Sequence, residues 1–108
     1  MTFSFHPAAR RELNEAVDYY EDCQPGLGYE FLEEVYATIA RILHYPNAWS
    51  QISRRARRCL TKRFPYGVIY QVKEDHIRIV AVAHSHRRPG YWLNRLDDEG
   101  GAEQGRCT

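Results

Sequence analysis

The sequence predicts a single α+β domain in which a helical hairpin covers one face of a small antiparallel sheet. Two observations support this prediction. The first half contains two amphipathic helical patterns joined by a short connection rich in Pro and Gly, and the second half contains three β-rich segments close together in the chain. A short alternating segment precedes the helices, so the predicted element order is β-α-α-β-β-β. At 108 residues, the chain has the length of one domain with one core.

The first strand and first helix follow directly from residue patterns near the N-terminus. Residues Thr2–Phe5 alternate polar and apolar side chains, which is typical of a short strand. Pro7 suits the first turn of a helix, because its missing N–H would have no intrahelical partner there. The apolar face of that helix recurs at helical spacing through Leu13, Ala16, Val17 and Tyr20.

The second helix follows the Pro-Gly-Leu-Gly connection at residues 25–28, which ends the first one. It must end before Pro46. The shortness of the connection predicts an antiparallel pair of helices. A wide apolar stripe defines the buried side of the second helix: Phe31, Leu32, Val35, Ile39, Ile42 and Leu43.

Three strands are predicted in the second half, over residues 57–64, 66–72 and 77–83. The last of these segments has apolar residues at both odd and even positions, so both of its faces are expected to be buried, which indicates a strand in the middle of the sheet. Glu74 and Asp75 form the turn before it. The proximity of the three segments predicts an antiparallel meander. Residues 91–95 are compatible with either a short helix or a strand.

Charge is distributed very unevenly along the chain. Residues 1–50 carry a net charge of −5, residues 51–95 carry +9 and residues 96–108 carry −3, although the whole chain is only +1. In the predicted fold this places an acidic helical layer against a basic sheet. Such a basic surface is expected to bind an anion, either phosphate or an acidic protein segment.

The remaining composition limits the setting in which the protein works. The domain is predicted to span residues 1–96, followed by a disordered acidic tail over residues 97–108. No apolar run is long enough for a membrane span, no secretory signal is visible, and three widely spaced cysteines do not form a disulfide framework. We therefore expect a cytoplasmic protein with no membrane partner.

The densest group of chemically capable side chains lies between residues 84 and 92. Cleavage of RNA through its own 2′-hydroxyl requires a base, an acid and cations that stabilise the charged phosphorane, but no metal. His84, Arg87 and Tyr91 are the candidate catalytic residues for such a metal-independent ribonuclease. The candidate phosphate-binding residues are Arg58, Lys62 and Arg63. The alternative is a basic turn in which Tyr91 and Trp92 cover the edge of the core.

The basic run itself admits two interpretations. Six cations occur within residues 54–63, which favours a surface for a polyanion or an acidic protein segment. Solvated Lys and Arg side chains also protect an edge strand from aggregation. We favour the partner surface, because six cations in ten residues exceed what edge protection needs.

No metal or cofactor is expected. His84 and His86 share one side of a strand, but no third ligand lies nearby in the sequence and the surrounding arginines would repel a cation. Cys59 is expected to be a small buried side chain. The sequence contains no phosphate-binding loop, nucleophile elbow or dinucleotide fingerprint.

Taken together and in order, several segments resemble the RelE/ParE superfamily, the toxins of bacterial type II toxin–antitoxin modules. The resemblance covers about residues 3–95 and depends on the order and spacing of its parts. These parts are Ala16–Glu21, Pro25–Gly28 with Phe31, Pro46, Arg58-x-Leu60, Lys62–Tyr66 with Ile69 and Tyr70, and His84-x-x-Arg87-x-Pro89-x-Tyr91-Trp92.

The resemblance implies a growth-inhibiting toxin that a cognate antitoxin neutralises by folding around it. It also implies one of two activities. RelE-like members cut mRNA on the ribosome, with basic strand residues, an Arg and a late Tyr or His forming the site. ParE-like members poison DNA gyrase without chemistry of their own. The group formed by His84, Arg87 and Tyr91 favours mRNA cleavage, and gyrase inhibition or a non-toxic, partner-binding member are the alternatives.

Overall fold

The computed structural model describes residues 1–97. The tail predicted for residues 97–108 lies outside the described residues except for Asp97. The described elements, in chain order, are strand β1 (Thr2–Phe5), helix α1 (Pro7–Cys23), helix α2 (Leu27–His44), strands β2 (Ser50–Ser53), β3 (Ala56–Leu60), β4 (Tyr66–Lys73) and β5 (His76–His84), and a short 3₁₀ helix (Leu93–Arg95).

The α+β class and the predicted succession of elements are confirmed, with one additional strand. The five strands form a single sheet in the order β1-β5-β4-β3-β2. The sheet is mixed rather than wholly antiparallel, because β1 runs parallel to β5. The unpredicted strand β2 forms a hairpin with β3, and this hairpin supplies one more reversal of the chain. That reversal brings β5 into the same direction as β1.

Helix α1 begins where a side chain and a proline satisfy its first turn. His6 caps the helix by accepting a hydrogen bond from the backbone N–H of Ala8 at 2.9 Å, and Pro7 occupies the first helical position. The helix buries Ala9, Leu13 and Ala16 against the sheet. The helical spacing found in the sequence therefore defines the face that packs on the strands.

The tight link between the two helices depends on Glu21. Its carboxylate accepts hydrogen bonds from the backbone N–H of Gly26 at 2.9 Å and of Gly28 at 3.1 Å. Gly26 adopts the left-handed conformation with φ of 89°. A Cβ atom on Gly28 would lie 2.5 Å from the carbonyl oxygen of Val17, so only glycine permits this close helix approach.

The main core lies between the helical hairpin and one face of the sheet. Its central strands β4 and β5 contribute Val68, Tyr70, Ile77 and Ile79, all fully buried. From the helices, the largest buried contributions come from Leu13, Phe31, Val35, Ile39 and Ile42. Burial of these side chains provides the main stabilisation of the fold.

A second, smaller core covers the opposite face of the sheet. Trp92, which is 5% exposed, packs there with Ile69, Val80 and Ala81. The chain after β5 thus crosses the sheet face that the helices leave open. The sequence was compatible with either a short helix or a strand at residues 91–95, and the structure has a short 3₁₀ helix at Leu93–Arg95.

The end of this crossing segment is fixed by a buried amide. Gln71 is 2% exposed, and its side chain accepts from the N–H of Asp97 at 3.0 Å and donates to the carbonyl of Asp97 at 3.3 Å. Arg55 donates to the same carbonyl at 2.7 Å. Lys73 and Arg78 pair with the carboxylate of Asp97, and these pairs hold its pKa below the usual range. Asp97 is therefore attached to the sheet through both its backbone and its side chain.

Within residues 1–97, no helix combines the length and the apolar character that crossing a membrane requires.

We predict that Gly28→Ala destabilises the protein by about 1–3 kcal/mol, because the added methyl group overlaps the backbone of α1. A decrease in stability would distinguish this contact from an ordinary helix position, because Gly→Ala in an unobstructed helix increases stability by about 0.5–1 kcal/mol. Urea unfolding followed by circular dichroism measures the difference. The exposed Ala37→Ser change in α2 serves as the control, and equal or higher stability of Gly28→Ala would show that the helices are not in contact at this point.

Candidate functional site

A groove of about 410 Å³ opens at one end of the sheet, mainly on the face opposite the helices. It lies where β4 begins and β5 ends, and the turn that follows β5 forms its far wall. Its floor is apolar and includes Gly67, Ile69, Ala83 and Trp92. Strand β3 and the turn after β5 contribute the charged walls. We call this feature the cationic groove, from its lining residues Arg58, Arg87 and Arg88, and it also contains His84.

Arg58 reaches the cationic groove because of strand alternation. Its neighbours Arg57 and Cys59 point to the helical side, whereas Arg58 pairs with Ile69 and shares its face of the sheet. The floor residue Gly67 has no side chain, and this leaves room for the arginine to lie against it. A Cβ atom on Gly67 would lie 3.0 Å from Cδ of Arg58. The aliphatic part of Arg58 therefore lies along the groove floor.

Glu12 of helix α1 is the centre of the adjoining polar network. Its side chain is only 13% exposed, and one oxygen accepts from the phenol of Tyr91 at 2.8 Å and from Arg95 at 2.9 Å. The other oxygen accepts from the backbone N–H of Val82 at 3.0 Å. Arg87 lies 3.9 Å from the same carboxylate. Glu12 thus connects α1 to strand β5 through Val82, and to the segment after β5 through Tyr91 and Arg95.

Tyr91 is held between this carboxylate and two cations. The guanidinium carbon of Arg87 lies 3.8 Å from the centre of the Tyr91 ring, and that of Arg95 lies 5.0 Å from it. Burial raises the pKa of Tyr91 far above its usual range, and the hydrogen bond to Glu12 raises the pKa further. The phenol therefore stays protonated near neutral pH and is engaged as a donor to Glu12. This arrangement suits a structural role better than that of a general base.

His84 is the group in the cationic groove best suited to proton transfer. Its Nδ1 accepts a hydrogen bond from the backbone N–H of His86 at 3.0 Å, which favours the tautomer with the proton on Nε2. Its ring makes edge contacts with the rings of Tyr66 and His86. The pKa of Tyr66 is raised by burial, so this phenol also remains protonated. The groove therefore offers one histidine and several cations.

The structure brings four of the six predicted site residues together: Arg58, His84, Arg87 and Tyr91. Lys62 and Arg63 do not line the groove. Arg63 forms an ion pair with Glu30 of α2 at 2.8 Å, and the backbone N–H of Lys62 donates to Glu34 at 2.7 Å. The turn at residues 61–65 is closed by the hydroxyl of the buried Thr61, which lies 2.7 Å from the carbonyl oxygen of Phe64 and 3.1 Å from that of Tyr66. The contacts of Lys62 and Arg63 with Glu34 and Glu30 attach this turn to α2.

Several other arginines within residues 1–97 donate hydrogen bonds to backbone carbonyl groups of the same chain. Arg57 donates to the carbonyl of Trp49, Arg78 to that of Arg95, and Arg41 to that of Leu60. The run of six cations at residues 54–63 is therefore divided between the two faces and the ends of the sheet. Only Arg58 from this run lines the cationic groove.

Glu12 is the residue of this network that the sequence patterns do not reveal. It lies on α1 among other acidic residues, and the helical periodicity assigns all of them to a solvated face. A carboxylate next to the apolar stripe, beside Leu13, is the only sequence signal of its position. The unequal charge of the two halves indicates that some acidic side chain must contact the basic sheet, but not which one.

His84 and His86 are the two histidines that the sequence analysis considered as a metal-binding pair and set aside. Their ring centres lie 5.0 Å apart. Within residues 1–97, no three side chains of His, Cys, Asp or Glu are grouped so as to hold a metal ion. Cys59 is buried as expected, and burial raises the pKa of its thiol.

Comparison with known proteins adds family information to this geometry. Residues 3–89 match the sequence model described as ParE toxin of the type II toxin–antitoxin system parDE. The proteins named Toxin ParE2 from two Mycobacterium tuberculosis strains, CDC 1551/Oshkosh and H37Rv, are each 29% identical over 89 residues, covering 78% of this chain and 81% of the relative.

A solved structure shares the fold. It is titled the chromosomal ParDE TA system from P. aeruginosa, and its similar chain superposes with a TM-score of 0.69 at 17% sequence identity. The match covers 78% of this chain and 95% of that one. The arrangement of helices and strands described above is therefore found in another protein.

We predict that the Glu12 network contributes measurably to stability. Glu12→Gln leaves Arg95 without its buried counter-charge and is expected to cost about 3 kcal/mol. Tyr91→Phe removes a hydrogen bond to a charged group and is expected to cost about 2 kcal/mol. In the double variant the losses should fall short of additivity by about 1 kcal/mol or more, because the two groups interact directly.

Denaturant unfolding of the four proteins provides this double-mutant cycle. The exposed Glu15→Gln change on the same helix is the matched control, with an expected effect within about 0.5 kcal/mol. Additive losses for Glu12 and Tyr91 would contradict the described network.

Proposed function

Because the chain belongs to the ParE toxin family of type II toxin–antitoxin systems, we propose that this toxin acts by binding its target through the cationic groove, without cleaving RNA. The target we propose is DNA gyrase, which the resemblance to the ParE branch implies. The partner that neutralises the toxin is a cognate antitoxin. Both interactions are proposed to occur in the cytoplasm.

The bond between Tyr91 and Glu12 is the observation that carries this proposal. Cleavage through a 2′-hydroxyl needs a base and an acid placed on opposite sides of the scissile phosphate. Of the two predicted acid–base groups, Tyr91 donates a hydrogen bond to Glu12 at 2.8 Å and has a strongly raised pKa, so it keeps its proton. His84 is then the only one of the pair available for proton transfer. A surface with several cations and one free acid–base group supports binding better than catalysis.

The charges of the cationic groove support recognition of an anionic partner. Arg58, Arg87 and Arg88 are exposed at its rim, whereas its floor is apolar. Protein interfaces commonly combine an apolar centre with a charged rim, and the rim sets specificity and association rate. These features are compatible with a protein target such as gyrase.

Cleavage of mRNA on the ribosome is the second candidate, and His84 is the observation that favours it. The ring of His84 lies in the groove beside Arg58 and Arg87, so one proton-transfer group and a phosphate clamp are near each other. This candidate requires another group, such as a ribosomal one, to supply the second proton transfer.

Controlled expression with and without the antitoxin distinguishes the candidates. We expect growth arrest with intact messages, and inhibition of gyrase supercoiling by the purified protein. Arg58→Glu is expected to weaken that inhibition on the order of tenfold, because it reverses a rim charge. Arg54→Glu, an exposed arginine on the β2–β3 turn, is the matched control.

His84→Gln separates binding from catalysis. Loss of one polar contact should change gyrase inhibition by no more than severalfold, whereas loss of a general acid or base lowers cleavage by roughly 10²–10⁴-fold. Cut messages at ribosomes that disappear in His84→Gln, together with normal supercoiling, would overturn the proposal in favour of the nuclease. Absence of both effects would indicate a partner-binding member without toxicity.

A further inference from the structure

We propose that the cationic groove and a neighbouring acidic pocket together bind one extended peptide segment of a partner protein. The segment carries acidic residues next to an apolar residue, with a basic residue further along. This inference rests on the proposed function, because it specifies the chemistry of the partner that the same surface recognises.

The apolar floor of the cationic groove selects the central residue of such a segment. Ile69, Ala83 and the largely buried Trp92 belong to this floor, and Pro65 and Pro89 also line the groove. A volume of about 410 Å³ accommodates one large aliphatic or aromatic side chain together with its backbone. Burial of that side chain would supply most of the affinity.

The rim of the cationic groove selects acidic neighbours of the apolar residue. Within residues 1–97, the guanidinium groups of Arg58 and Arg88 make no hydrogen bond or ion pair. Arg58 already lies along Gly67, so little side-chain freedom is lost when it pairs with a carboxylate. Charge-assisted bonds of guanidinium to carboxylate are strong and directional.

A second pocket of about 230 Å³ adjoins the cationic groove on the side of helix α1. We call it the acidic pocket, because Glu12 and Glu15 line it. Tyr66, His84 and Arg87 line both cavities and form the wall between them. Glu12 is engaged with Tyr91 and Arg95, whereas the exposed carboxylate of Glu15 has no ion pair among the described residues. Glu15 is therefore the available partner for a basic side chain.

The aromatic rings at the cationic groove favour a peptide over RNA. Single-stranded RNA is held by bases stacked on exposed aromatic faces and by cations placed along the backbone. Arg87 covers one face of Tyr91 at 3.8 Å, and Trp92 is 5% exposed. Phe64 and Tyr66 pack against the main core. The acidic pocket would in addition repel a phosphate chain that continued past the wall.

Direct binding of labelled peptides to the full chain tests this proposal. The probe is a fluorescein-labelled peptide with two aspartates, one leucine, three serines and one lysine in that order. Three companion peptides replace the aspartates, the leucine or the lysine by serine. Fluorescence anisotropy measures each dissociation constant, and circular dichroism checks that each protein variant is folded.

We expect each charge reversal to affect only the peptide group that it faces. Arg58→Glu should weaken the complete peptide on the order of tenfold but leave the aspartate-free peptide unchanged. Glu15→Lys should weaken the complete peptide severalfold and leave the lysine-free peptide unchanged. Arg54→Glu and Glu33→Lys, exposed residues outside both cavities, are the matched controls.

Three outcomes would overturn the inference. The first is equal binding of the complete peptide and the leucine-free peptide. The second is binding of the complete peptide that Arg58→Glu does not weaken. The third is tighter binding of a labelled RNA of similar length, with the same dependence on Arg58. If gyrase inhibition persists while no peptide binds, the inference alone is wrong; if peptides bind as expected while gyrase and growth are unaffected, the proposed target is wrong.

Discussion

The rest of the site depends on the hydrogen bonds and the ion pair that the carboxylate of Glu12 forms. Helix α1, strand β5 and the segment after β5 meet at this one group, which accepts bonds from Val82, Tyr91 and Arg95. Because the side chain is 13% exposed, loss of Arg95 would leave the carboxylate without its close counter-charge in a poorly solvated place, and loss of either neutral donor would remove one of its hydrogen bonds. Glu12 thereby joins the helices on one face of the sheet to the segment that covers the opposite face, at the end of the sheet where β5 ends. This connection also fixes the ring of Tyr91, and through it the position of Arg87.

The fold was largely predictable from the sequence because local patterns determine most of it. The helical periodicity around Leu13 and Ala16, the Pro-Gly connection and the β-rich segments each define an element without reference to distant residues. Strand β2 has only Ile52 as a β-branched residue, so its pairing depends on the neighbouring β3 rather than on its own propensity. The parallel pairing of β1 with β5 depends on the extra chain reversal that β2 introduces, so it could not be predicted while β2 was unrecognised.

The candidate site was predictable in part, since its cations are visible in the sequence but their directions are not. Strand alternation separates Arg57 from Arg58, and the turn at Thr61 takes Arg63 towards Glu30, so adjacent positions in the run point to different surroundings. The chemistry assigned to Tyr91 depends on a partner 79 positions away in the chain. No motif records such a pairing, and a buried carboxylate on a helix looks the same in sequence as a solvated one.

The hydrogen bonds between the Gln71 side chain and the main chain of Asp97 bear on which substitutions residue 97 can accept. The amide binds the main chain, so residue 97 is anchored as if it belonged to an adjacent strand, whatever side chain it carries. The two cations that bind the carboxylate of Asp97 then constrain its identity separately from its position. A substitution at residue 97 can therefore remove the two ion pairs and still leave the main-chain hydrogen bonds to Gln71 in place.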